Sequence, residues 1–134
     1  MKTIIIAYVA TLVFFVAIDF IWLSSMANVL YKPTLGDMLA PDFRPVPAIL
    51  FYLIYVAGLT FFAVRPSIQS ADLLIAAFYG AMFGFVAYAT YDLTNQATLK
   101  NWSTTLTVAD LAWGAALSAV AAATGSWITQ RFAA

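Results

Sequence analysis

The sequence predicts an all-α membrane protein, a four-transmembrane-helix up-down bundle with a long Pro-rich first loop. Three observations predict it. Of 134 residues, 64% are hydrophobic and only 9% charged, against roughly 25% charged in ordinary soluble domains. The mean hydropathy is +0.92. The apolar residues fall into four runs, and at a rise of about 1.5 Å per residue ~20 of them cross a hydrocarbon core about 30 Å thick. The chain reads as a single integral membrane domain over residues 1–134, with spans near 3–31, 47–64, 71–91 and 104–127.

The first run opens with Thr3-Ile-Ile-Ile, is interrupted only by Asp19, and resumes with Phe20-Ile-Trp22-Leu23. Lys2 before it and Ser24-Ser25-Met26-Ala27 after it also suit a secretory signal. The resumption of apolar character beyond Asp19 favours a membrane span. From Lys32 to Pro47 the composition changes: Pro33, Gly36, Pro41, Pro45 and Pro47 argue against a continuous helix. Leu35, Met38, Leu39 and Phe43 are too apolar for a solvated linker, so this longest loop is expected to lie along the membrane surface, where it could serve as a lid. Pro47 suits the first turn of a second helix, which Arg65-Pro66 closes.

The third span carries Gly80-x-x-x-Gly84, a spacing that lets another helix approach closely. Packing within the bundle is the first reading of it, and a homodimer through the Gly80/Gly84 face is the second. In the fourth span Gly114, Ser118 and Ala122 recur every fourth position and match the third as a close-packing partner. Thr104 or Thr105 is the expected cap at its start.

Even-numbered spans place the loops after spans one and three on the same side of the membrane. Asp19 lies about sixteen residues into span one, past the midplane towards those loops. Asp92 ends span three there, and Asp110 sits roughly 9 Å into span four from that side. Helical periodicity aligns Asp19 with Leu12, Phe15, Leu23 and Met26, Asp92 with Ala81, Phe85 and Tyr88, and Asp110 with Gly114, Leu117 and Ala121. Because an aspartate at the membrane centre costs on the order of 2.5–3.5 kcal/mol, these faces are expected to point inward. An ionised carboxylate there would call for Lys32, Arg44 or Lys100, the cations on the same side, whereas a neutral one would donate a hydrogen bond.

Tyr91-Asp92-Leu93-Thr94-Asn95, then Ala97-Thr98-Leu99 and Trp102, with Asp110-x-x-Trp113-Gly114 downstream, resembles a family of small bacterial predicted membrane proteins classed as domain of unknown function 2177. The resemblance covers nearly the whole chain. It implies a bacterial inner-membrane protein with about four spans, and it implies no activity.

Asp19, Trp22, Tyr88, Tyr91, Asp92, Thr94, Asn95, Trp102, Asp110 and Trp113 are the candidate ligand-binding residues: three carboxylates for a polar head and aromatic walls for an apolar body. The favoured ligand is a lipidic or amphipathic small molecule, with membrane lipids as constant neighbours. A cofactor-free enzyme is an extension of this reading, since a protonated aspartate beside an ionised one can move protons. Two other readings are an accessory subunit of a larger membrane complex and a proton or cation path, the latter weakened because only Tyr8, Thr11 and Thr60 are polar deep in the other leaflet.

With no cysteine or histidine, disulfides, thiolate chemistry and the usual zinc and haem ligand sets are excluded, and neither a metal site nor a cofactor is expected. Scattered basic residues and zero net charge exclude nucleic-acid binding. Lys2, Arg65 and Arg131 on one side balance Lys32, Arg44 and Lys100 on the other. Cytoplasmic termini are expected only because a lysine before the first span and an arginine after the last suit cytoplasmic anchors.

Overall fold

The computed structural model describes residues 1–133. Four helices are long and apolar enough to cross a membrane: α1 (Lys2–Met38), α2 (Pro45–Ser70), α3 (Leu73–Thr98) and α4 (Thr104–Phe132). The connections are short, and the first is the longest, with residues 39–44 irregular between α1 and α2. Short connections make successive helices antiparallel. The result is a four-helix bundle without strands among the described residues.

Each helix outruns the span read from sequence, and the first two do so through prolines. α1 passes through a five-residue π-helical turn, Ala27–Tyr31, and continues through Lys32–Leu35 with Pro33 in its first positions. α2 does the same at Thr60–Val64 and continues through Arg65–Ser70 with Pro66. A mid-helix proline removes one amide donor and collides with the carbonyl four residues earlier. Those carbonyls belong to Val29 and Phe62, which lie inside the two π-turns. There the bonds run to the fifth residue and the α-helical ladder is already displaced. The segment expected as a lid over Lys32–Pro47 is therefore helical to Met38 and again from Pro45.

α2 ends at Ala71, a left-handed residue with φ 52°. The tight turn is held by the Ser67 hydroxyl donating to the Asp72 carbonyl at 2.7 Å. The Asp72 carboxylate then caps α3, accepting from the Leu74 amide at 3.0 Å. Ser103, not Thr104 or Thr105, caps α4 and accepts from the Leu106 amide at 3.2 Å. Its extended backbone, φ −82° and ψ 130°, points the hydroxyl back at the first free amides.

α4 is the most deeply buried helix, and small residues explain how three others reach it. Gly80 and Gly84 of α3 face it directly. A Cβ on Gly80 would lie 2.7 Å from the Ser118 carbonyl oxygen, and one on Gly84 would collide with the Gly114 carbonyl oxygen. Gly125 in turn admits Thr11 of α1, and Gly114 admits the ring of Tyr88. The Gly80/Gly84 face is thus occupied within the chain, and a second copy could use it only by displacing α4. The inward face of α1 is Ala7, Thr11, Phe15 and Asp19, with Leu23 exposed; that of α3 runs Ala76, Gly80, Gly84 and Asp92, with Phe85 outside. Phe85 was misplaced by a three-residue step from Tyr88, whereas Leu23 keeps the step of four but lies beyond Asp19, the last buried residue on that face of α1.

The Gly84→Ala variant is expected to lose about 1–3 kcal/mol of stability, the usual cost of overpacking, because its Cβ meets backbone. Denaturant unfolding in detergent micelles checks this, and an unchanged midpoint would refute the close α3–α4 contact.

Candidate functional site

Asp19 of α1, Asp92 of α3 and Asp110 of α4 are all buried, with Asp92 wholly enclosed. A carboxylate removed from water must be met by donors. Here aromatic side chains supply them. Asp19 accepts from the Tyr52 hydroxyl through one oxygen, at 2.6 Å, and from the Trp113 indole through the other, at 3.2 Å. Asp110 accepts from the Tyr31 hydroxyl at 2.7 Å, and Tyr31 in turn accepts from the Trp22 indole at 2.9 Å.

The two Asp-x-x-Trp pairs therefore serve each other. Trp113, one turn after Asp110, bonds Asp19; Trp22, one turn after Asp19, reaches Asp110 through Tyr31. The two indoles stack between them, centroids 4.3 Å apart and planes 9° from parallel. This exchange locks α1 to α4 in rotation as well as height. The cations expected as alternative partners, Lys32, Arg44 and Lys100, are all exposed; tyrosine and tryptophan donors take their place.

Asp92 differs from the other two. Its carboxyl adjoins that of Asp110, and no tyrosine, tryptophan or cation meets either of its buried oxygens. It also lies well inside α3, six residues before the helix ends at Thr98, and not at its terminus as the sequence reading had it. The Tyr91–Asn95 motif is helical as a consequence.

A cavity of about 280 Å³ opens beside this cluster, lined by Phe51, Tyr55, Ala87, Tyr88, Tyr91 and Asp110. Its walls come from α2, α3 and α4. Tyr55 is steadied by a 2.6 Å hydrogen bond with Ser118 and by edge contact with Tyr88, centroids 6.3 Å apart. Larger grooves of about 490 and 620 Å³ lie elsewhere on the lipid-facing surface, and neither is lined by a carboxylate.

The structure gathers Asp19, Trp22, Tyr88, Asp92, Asp110 and Trp113 of the predicted residues. Tyr91 lines the cavity but is more than half exposed. Trp102 stands at the margin, edge-on to Tyr91 at 5.8 Å and donating to Thr107 at 3.0 Å. Thr94 is exposed and bonds the Thr90 and Tyr91 carbonyls of its own helix. Asn95 is half-buried and outside the cavity lining. Both were singled out for lying in the same polar stretch, but a helix turns adjacent residues to different faces.

Sequence reading missed the donors Tyr31 and Tyr52 and the cavity-wall residues Phe51, Tyr55 and Ala87. Tyr52 had one usable signal, its position near the same membrane side as Asp19. Nothing marked Tyr31, because the π-turn that brings it back to Asp110 has no sequence signature.

A family model described as a predicted membrane protein (DUF2177) matches residues 4–127. The chain belongs to this family. Comparison with curated proteins and with solved structures gives no match. Membership agrees with the multi-pass helical architecture, and the family description carries no activity. Among the described residues no group of three or more acidic residues is arranged to hold a metal ion.

Removing the Tyr31 hydroxyl leaves an acceptor on Asp110 and a donor on Trp22 unmatched. Tyr31→Phe is expected to cost about 1.5–3 kcal/mol, as for hydrogen bonds to charged groups. Thr94→Val should change stability by less than about 0.5 kcal/mol, as at other surface positions. Comparing both unfolding midpoints with wild type checks the assignment; equal losses would refute it.

Proposed function

We propose that the protein binds a lipidic or amphipathic small molecule in the cavity between α2, α3 and α4, with the polar head at Asp110 and the apolar body against Phe51, Tyr55, Tyr88 and Tyr91. The observation that carries this reading is the composition of the cavity. Its lining is aromatic except for Ala87 and one carboxylate, and ligand sites combine apolar walls with a few placed polar groups. Phe51 and Tyr91 are exposed on the outer surface, so a ligand can enter sideways from the bilayer. A volume of about 280 Å³ is at the small end of ligand pockets, about 300–1,000 Å³. It suits a head and the first methylenes, with the rest of the chain lying in lipid.

A second reading, proton movement, draws on a different observation. Hydroxyls continue from the site along the bundle core: Tyr55 with Ser118, the unpartnered Thr11 and Thr60, and then Ser67 with Ser126, which also accepts from Gln130. This row is fuller than the sequence suggested. It contains no acid or base beyond Asp19, so ligand binding remains the stronger reading.

For location we propose a bacterial inner membrane with cytoplasmic termini, the orientation favoured by Lys2 before the first span and Arg131 in the last turn of α4. The chain has no cysteine, which makes labelling direct. In intact cells an impermeant maleimide is expected to label Asp42→Cys and to spare Phe132→Cys until the cells are opened; the reverse pattern would invert the topology.

Native mass spectrometry of protein extracted in its own lipids tests the ligand reading. Wild type is expected to carry a small-molecule adduct that the cavity-filling variant Ala87→Trp loses. An adduct retained by the variant would remove the cavity from the reading. A co-purifying polypeptide without an adduct would replace it with the accessory-subunit role, and proton leak by the protein in liposomes above empty vesicles would favour the second reading.

A further inference from the structure

The carboxyl end of the cavity has a surplus of acceptors. Asp110 uses one oxygen to accept from Tyr31, and beyond that the side chain beside it is another carboxyl, that of Asp92. Both Asp92 oxygens are buried, and apart from the neighbouring Asp110 carboxyl nothing meets them. None of the chain's cations answers them: Lys2, Lys32, Arg44, Arg65, Lys100 and Arg131 are all exposed. Tyr31, Trp22, Tyr52 and Trp113 are already committed to Asp110 and Asp19. The walls above this end are the rings of Tyr55, Tyr88 and Tyr91, whose negative faces attract cations within about 6 Å.

These features together ask for a ligand head that donates, is positive and is small. From them, and resting on the amphiphile-binding reading above, we infer that the cavity selects an amphiphile with a primary ammonium head, seated on Asp110 with the Asp92 carboxyl behind it. A primary ammonium brings three donors and no acceptor. A hydroxyl head brings one donor and also a lone pair, which has no donor to meet here. A quaternary ammonium satisfies the ring faces and leaves the carboxyl oxygens without a donor. A carboxylate or phosphate head alone adds negative charge beside two carboxyls that no cation balances. An ammonium head can come from a long-chain amine or from an ethanolamine phospholipid, and the recognition chemistry is the same.

The test uses the full chain in nanodiscs of phosphatidylcholine, with tryptophan fluorescence read while dodecylamine, dodecyltrimethylammonium, dodecanol and dodecanoate are titrated. Protein-free nanodiscs supply the partition baseline. Dodecylamine is expected to saturate at a concentration at least about tenfold below that of the other three, since losing one hydrogen bond to a charged group costs about 1.5–3 kcal/mol. Asp110→Asn should remove that preference. Should Asp110→Asn not fold, Asp92→Asn serves the same end by removing the second carboxyl behind the head, and Ala87→Trp should abolish saturable binding of every probe. Replacing a fraction of the lipid with the ethanolamine phospholipid should raise the dodecylamine midpoint if the headgroup is the ligand and leave it unchanged if a free amine is; either result supports the ammonium head. Equal midpoints for dodecanol and dodecylamine, both lost in Ala87→Trp, would overturn the ammonium inference and leave the amphiphile reading intact. Absence of saturable binding by any probe would overturn that reading as well.

Discussion

Three carboxylates buried among apolar helices, with no cation beside them, are the constraint on which the rest of this structure depends. In water an aspartate needs nothing from its neighbours. Inside a bilayer it has to be supplied with donors, and side chains that carry a donor on an apolar body do so at the least cost. Tyr52, Tyr31, Trp113 and Trp22 meet that need for Asp19 and Asp110. Tyr52, Tyr31 and Trp113 each come from a different helix than the carboxylate they meet, so satisfying the carboxylates also sets the relative height and rotation of α1, α2 and α4.

The small residues of α3 and α4 serve the same constraint by another route. Without a side chain at Gly84 or Gly114, the two backbones and the Tyr88 ring come together where a Cβ would collide. Close approach brings Asp92 against Asp110 and turns Tyr88 into the cavity. The cavity is thus a consequence of packing: α3 and α4 are pressed together, and α2, held by Tyr55 on Ser118, stands slightly off. Asp19 is fully satisfied and belongs to the scaffold. Asp92 meets only the Asp110 carboxyl and marks where the scaffold stops providing.

Much of the fold was legible because a bilayer imposes simple rules on composition and length. The four apolar runs, the antiparallel order and the membrane side shared by Asp19, Asp92 and Asp110 follow from counting residues. Leu117 and Ala121 beside Asp110 were legible as well, since α4 keeps its helical period throughout and all three are buried. Helix ends were less legible. Pro33 and Pro66 look like stops, and only a π-turn at the right distance before each makes them passable. Thr94 and Asn95 looked like site residues while the motif around them read as a loop; inside a helix they turn to other faces.

The sequence by itself determined that this is a multi-pass helical membrane protein with Asp19, Asp92 and Asp110 towards one membrane side, because hydropathy and helical rise are additive properties of the chain. Only the tertiary structure decided which donor meets which acid, that the two Asp-x-x-Trp pairs exchange partners, and that Asp92 is left without a tyrosine or tryptophan donor. A hydrogen bond is decided within a few tenths of an ångström. Where the side chains of four helices meet depends on crossing geometry, π-turns and missing Cβ atoms all at once, and no single stretch of the chain carries that information.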